Sequence, residues 1–229
     1  MTRNGTDRLK SRSSAGILAV VGILILSGCV STQKKSVTAT PSPSKTQPGK
    51  KHVRVSLQNR AVYVYDEKNK PILVSAVAIG RPNTPTPTGS FKAFNKQPKK
   101  RSGSYGFHVT SSEIRPGKRS SLPSNASYIG YPMPWWVEFK HGYGFHAGSV
   151  WPTPRTHGCL RLHKSVAPKF FQLVDESTPI HIAHSLPEDS KPIGQKIWRP
   201  SDYATPNSPN ALLISNVPFS STANHHVHY

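Results

Sequence analysis

The feature that most constrains this chain is a series of short segments, from Val53 onward, in which apolar and polar residues alternate. A period of two puts successive side chains on opposite faces of an extended backbone, so such segments bury their apolar face by assembling into a sheet. Val53-Arg-Val-Ser-Leu57 and Ala61-Val-Tyr-Val-Tyr65 carry this pattern, with Gln58-Asn59-Arg60 as the turn between them. Asp66 to Lys70 forms the next turn and Ile72 to Ile79 a third strand. Gly89 to Ala93, Trp136 to Lys140, Tyr143 to His146 and Pro179 to Ile182 continue the series. Gly, Pro and Asn punctuate these runs, as turn residues do. One helical pattern interrupts them: Ser165 is a capping type, and Phe170, Phe171 and Val174 cover one face of a segment ending near Glu176. The expected fold class is mainly β, a sandwich- or barrel-like domain over residues 52–185 with one or two short helices.

The flanks have a different composition. Twenty-two prolines against eight Phe and eight Tyr place a sizeable share of the 229 residues outside a packed core. Arg3, Arg8, Lys10 and Arg12 precede an apolar run, Ala15 to Leu26, and small residues follow it. That order describes a secretory signal peptide over residues 1–28, and the run falls short of the about 20 apolar residues of a spanning helix. Leu26-Ser-Gly-Cys29 resembles the bacterial lipoprotein lipobox, which implies cleavage before Cys29 and lipidation there. Val30 in place of an Asp favours the outer membrane, with the domain facing the periplasm. Residues 29–51, rich in Ser, Thr, Pro and Lys, read as a flexible tether. Residues 186–229 read as a basic tail, extended or partly disordered, with at most a short strand over Ala211 to Val217. Its His225, His226 and His228 lack a preformed geometry, so no metal site is expected.

Thirty Lys and Arg against ten Asp and Glu give a formal charge of +20. Such a balance attracts a polyanion: nucleic acid, an anionic membrane surface or an acidic wall polymer. The export signal disfavours nucleic acid.

The chemistry concentrates between Gly144 and Leu162. A thiol is a weak nucleophile until deprotonated, and an imidazole within reach activates it and later returns the proton to a leaving amine. Cys159 has two candidate partners, His146 and His157. His157 lies only two residues away, and in an extended loop its side chain need not meet the thiol. His146 ends a predicted strand, and the loop between returns the chain so that the two side chains meet from opposite directions. His146 is the expected base. Gly158 permits a tight turn whose N–H groups would form an oxyanion hole. A single Cys is ordinarily a small buried hydrophobe; between two histidines and beside a glycine in an exported chain, Cys159 reads as catalytic. Cys29 then has its own purpose, and no disulfide joins the two. Lys99-Lys100-Arg101 reads as a solvated loop, Trp135-Trp136 as core, and His108 and His141 as surface or satisfied residues.

Thr156-His-Gly-Cys-Leu-Arg-Leu162 resembles the [ST]-H-G-C-x-R signature of the L,D-transpeptidase catalytic domain, the YkuD family. Upstream, Gly80-Arg-Pro82 with Thr86-Pro-Thr-Gly-Ser-Phe91 resembles that family's G…TPTGxF segment. Met133-Pro134 with Phe139, then Phe145-His-Ala-Gly148, resembles its MP…F…HxG segment. The resemblance spans roughly Val53 to Ala183. It implies Cys159 as nucleophile, His146 as base, and the Ala147 carbonyl as the group orienting the imidazole. His157, Gly158 and the Cys159 N–H match the oxyanion turn; Arg161 and Thr156 fall among substrate-binding residues. The implied reaction is acyl transfer on peptidoglycan stem tetrapeptides. A Cys159 thioester forms, D-Ala leaves, and a stem amine gives a 3→3 cross-link or an envelope protein accepts the acyl group. No cofactor is required. The alternatives are hydrolysis through the same thioester and a non-catalytic wall-binding lipoprotein.

Overall fold

The computed structural model describes residues 49–200, 202 and 208–220. The leader 1–28, the lipobox Cys29, nearly all of the tether and the His225, His226 and His228 cluster lie outside the described residues. Ten strands form one mixed sheet. They are β1 (His52–Ser56), β2 (Ala61–Tyr65), β3 (Pro71–Ala78), β4 (Gly89–Lys92), β5 (Asn95–Val109), β6 (Ile114–Lys118), β7 (Ser127–Lys140), β8 (Tyr143–Ala147), β9 (Leu160–Leu162) and β10 (Pro179–Ala183). The order across the sheet is β4-β10-β1-β2-β3-β9-β8-β7-β5-β6. Only β1 with β10 and β8 with β9 run parallel.

The sheet is curled. Its two ends approach where β4 runs into β5: the Phe94 N–H donates to the Glu138 carbonyl of β7 at 3.0 Å. One core therefore collects Val53, Val55, Ile180 and Ile182 from one end with Val137, Phe139 and Phe145 from the other. Helix α1 (Ala167–Leu173) fills that core with Ala167 and Phe170. Its cap differs from expectation. Val166 occupies the N-cap and makes no side-chain cap bond, while the Ser165 hydroxyl sits 2.7 Å from His163 Nδ1.

Sequence patterning located seven strands, including only the inner end of β7, and missed β5, β6 and β9. The Lys99 to Arg101 segment, expected as a loop, lies within the 15-residue β5. Strands β5, β6 and β7 form a long arm that extends past the rest of the sheet. Strand β7 contains Pro132 and Pro134, which lack the N–H a central strand uses. They are tolerated because β8 pairs only with Val137 to Lys140, so the outer part of β7 has β5 alone as a neighbour. Trp135, with a left-handed φ of 61°, marks the junction between the two parts.

Where described, the expected tail is folded onto the domain. Glu188 accepts from Arg54 Nη1 at 2.6 Å and Tyr65 Oη at 2.8 Å, and Asp189 accepts from Ser56 Oγ at 2.7 Å. Helix α2 (Pro192–Gln195) follows, and the Gly194 carbonyl accepts from Asn59 Nδ2. Residues 211–214, expected at most as a strand, belong to helix α3 (Asn210–Ile214). Leu213 packs with Phe107 in a second core under the arm, beside Val109, Ile114 and Tyr131. Arg101 fastens this segment, donating to the carbonyls of Leu213, Ile214 and Ser215 as well as Gly130. Those of Leu213, Ile214 and Ser215 lie at the end of a short helix, where carbonyls lack intrahelical partners, so a guanidinium with five donors satisfies several at once.

Candidate active site

Cys159 closes a tight turn that enters β9. Gly158 has a φ of +107°, and a Cβ there would lie 2.5 Å from Cε1 of Tyr143, so both backbone and space demand glycine. Thr156 builds the turn from beneath. Its side chain is 1% exposed, and its hydroxyl donates to the Cys159 carbonyl at 2.6 Å and accepts from the Gly158 N–H at 3.0 Å. That hydroxyl is engaged inside the turn, which makes Thr156 a positioning residue rather than a substrate contact. It also occupies the Gly158 N–H, leaving those of His157 and Cys159 as the turn's other donors.

Register places His146 and Cys159 on one face of the sheet. Parallel pairing sets Phe145 against Leu160 and His146 against Arg161. Cys159 therefore lies level with Gly144 and one pleat from His146, on the face opposite the Phe145 core. His146 Nδ1 is 2.8 Å from the Ala147 carbonyl. A carbonyl only accepts, so Nδ1 carries the proton and Nε2 keeps its lone pair. The imidazole rests against Trp136, centroid to centroid 6.2 Å. Glu138, 6% exposed, accepts from Trp136 Nε1 at 3.2 Å, Asn95 Nδ2 at 2.7 Å and the Gly142 N–H at 2.8 Å. The carbonyl of the same Gly142 lies 3.7 Å from Cys159 Sγ.

Burial decides the charges. It pushes His146 from 6.5 down to about 3, helped by the Arg161 cation and opposed by the Ala147 carbonyl. It pushes the Cys159 thiol up, outweighing the Gly144 N–H and the Arg161 charge, which pull it down. Both groups are thus favoured in their neutral forms, thiol and imidazole. Glu138 behaves oppositely. Burial alone would raise its carboxyl, but three donated hydrogen bonds hold it below the ordinary value. Arg161 reaches along Gly148, where a Cβ would stand 2.8 Å from the arginine Cδ, and burial lowers its pKa.

His157 points elsewhere. It is exposed, accepts from Arg81 Nη2 at 2.6 Å, and stacks on Tyr105 of the arm with centroids 4.0 Å apart. The structure gathers Cys159, His146, Ala147, Gly158, Thr156 and Arg161 around one turn and one strand pair, with His157 on the rim.

A family model for the L,D-transpeptidase catalytic domain, YkuD, matches residues 50–182. The chain belongs to this family. No curated protein matches it. Among solved structures, an L,D-transpeptidase from Stackebrandtia nassauensis is 21% identical, with 67% of this chain and 63% of that one covered and a TM-score of 0.45. An Enterococcus faecium L,D-transpeptidase is 22% identical over 58% of this chain and 50% of that one, at 0.43. L,D-transpeptidase 1 of Mycobacterium tuberculosis is 22% identical over 58% and 61%, at 0.41. This chain spans half to under two thirds of the length of these three.

Within this L,D-transpeptidase domain the upstream motif acquires a physical role. The Gly80 N–H donates to Thr86 Oγ1 at 3.0 Å, Thr84 Oγ1 donates to the Thr156 carbonyl at 3.1 Å, and the Arg81 N–H donates to that carbonyl at 3.0 Å. The Gly80-to-Thr86 loop is the bed on which the cysteine turn lies. Sequence reasoning left Arg81, Tyr105, Glu138 and Gly142 unassigned. Glu138 carried a signal in being acidic within an apolar run of a strongly basic chain; Tyr105 carried none.

Proposed function

We propose that this chain is a peptidoglycan L,D-transpeptidase working through a Cys159 thioester, tethered by lipidated Cys29 at the outer membrane and facing the periplasm. The supporting observation is a buried, neutral His146 whose Nδ1 proton is held by the Ala147 carbonyl, on the same face of the β8–β9 pair as Cys159. His146 Nε2 takes the thiol proton as Sγ attacks the carbonyl carbon of the third residue of a tetrapeptide stem. The oxyanion lies against the N–H groups of the turn. Collapse breaks the peptide bond, His146 gives its proton to the departing D-Ala amine, and the acyl group remains on sulfur. A second stem's amine then attacks the thioester, forming the 3→3 amide while the thiol recovers its proton through His146. Arg161, beside the reacting groups, offers a guanidinium to a substrate carboxylate or carbonyl.

Purified protein given disaccharide-tetrapeptide should yield a dimer lighter by one D-Ala in mass spectra, and Cys159→Ala should yield none. Tripeptide alone would assign water as the acceptor, and undiminished product from Cys159→Ala would end the thioester mechanism. Cys29→Ser should move the protein out of the membrane fraction.

A further inference from the structure

Arg81 differs from several other guanidiniums of the domain. Arg54 and Arg115 face carboxylates, Arg101 four carbonyls, and Arg199 the carbonyl and side chain of Asn59. Among the described residues the side chain of Arg81 donates only to the His157 ring, and its Nε is buried without a partner there. The arrangement leaves a cation uncompensated at the mouth of the cysteine turn. Next to it, Tyr105 lies flat on His157, and Lys118 Nζ stands 5.9 Å from the Tyr105 ring centre. Register fixes that neighbour, because Tyr105 and Lys118 pair directly across β5 and β6.

From Tyr105 an open groove of about 540 Å³ leads away, lined by Gly103, Ser104, Tyr105, Lys118, Arg119 and Ser120. The volume suits a small ligand, since ligand sites commonly measure roughly 300–1,000 Å³. No acidic residue lines it, and among the described residues neither Arg81 nor Lys118 is in an ion pair. Besides its burial, the charges that depress His157's pKa are all cations: Arg81, Arg161 and Lys118. An uncompensated pair of cations flanking a flat aromatic stack is suited to an anionic peptide. Arg supplies a planar fork for a carboxylate, Lys a mobile point charge, and the Tyr–His stack an apolar floor.

We propose that Arg81, at the His157 end of the stack, and Lys118, at the Tyr105 end, form a site for a carboxylate of the peptide that Cys159 processes. The site rests on the reading of Cys159 as the acyl carrier and adds how the peptide is selected: by its free carboxylates, held on the arm side of the thiol. A stem tetrapeptide presents carboxylates at its terminus and along its length, and the chemistry of recognition is the same for both.

The experiment uses full-length Cys159→Ala protein, which binds without turnover, and three tetrapeptides followed by calorimetry. One has every carboxylate free, one has the terminal carboxyl as an amide, and one has the internal carboxyls as amides. One of the two amidations should weaken binding by on the order of ten- to a hundredfold, as for a charge-assisted hydrogen bond, and so identify the carboxylate held. Adding Arg81→Gln or Lys118→Gln should reduce that preference to within about twofold. Lys118 is exposed and holds its turn through its backbone carbonyl, which Lys118→Gln keeps, so its variant stays informative if Arg81→Gln lowers the melting temperature. Equal binding of all three peptides, a preference that survives both substitutions, or no binding at all would overturn the site. If the peptides bind with the expected preference while wild-type protein releases no D-amino acid, the carboxylate site stands and the transpeptidase reading falls.

Discussion

Burial favours the uncharged forms of Cys159 and His146, and the pH dependence of the proposed acylation should show it. With His146 pushed down to about 3, kcat/KM for acylation should stay level from pH 7 to about 5, because the base remains unprotonated there. An acid limb centred near 6.5, the ordinary histidine value, would mean that the imidazole is solvated in the working enzyme. Thr156 yields a second expectation. Thr156→Val keeps the shape but strands the Gly158 N–H and the Cys159 carbonyl, so thermal unfolding should show a loss of about 1–3 kcal/mol. Acylation should slow with it, whereas a direct substrate contact would raise KM and leave stability alone. Cys159 and His146 could be picked out in the sequence as candidates because thiol chemistry needs few residue types at close spacing. Thr156's inward hydroxyl and Glu138's hold on Gly142 were not, since both depend on which way a side chain points after the turn has formed.

At the level of elements, the arm depends on a segment far away in the chain. Arg101→Met removes the donors that hold the carbonyls of Leu213, Ile214 and Ser215, and should cost about 2 kcal/mol or more in urea unfolding. Leu213→Ala, which opens a cavity beside Phe107, should cost about 2 kcal/mol as well. Unchanged midpoints would mean that α3 is not docked in solution. Strands β1 to β4, β8 and β10 were legible because each alternates within a few residues and ends on a turn. Strand β5 was not. Asn95-Lys-Gln-Pro-Lys-Lys-Arg-Ser-Gly has neither alternation nor β-branched residues, and its pairing to β7 comes from backbone bonds and from the inner strands that set its direction. Helix α3 escaped for the opposite reason: Asn210-Ala-Leu-Leu-Ile214 is too short for periodicity to separate helix from strand.

For the whole molecule, the buried imidazole ties catalysis to stability. His146 has a folded pKa below its unfolded value, so between about 3 and 6.5 the unfolded chain binds a proton that the native chain refuses. Stability therefore rises with pH across that window and is lost as pH falls through it. The melting temperature of His146→Gln should fall less steeply between pH 6 and about 4 than that of the wild type; parallel curves would contradict the buried neutral state. The Arg101 clamp has a consequence in time. Its partner Leu213 lies 112 residues further along the chain, beyond Cys159 and every other residue of the candidate site. A chain emerging from a ribosome thus holds Cys159, His146 and the turn between Thr156 and Cys159 before the piece that fastens the arm exists. Until that last stretch is out, the arm that carries Tyr105 and Lys118 rests on its pairing to β7 and on the Tyr105–His157 stack without the Arg101 clamp, so in the proposed enzyme the thiol is in place before the arm beside it is fastened.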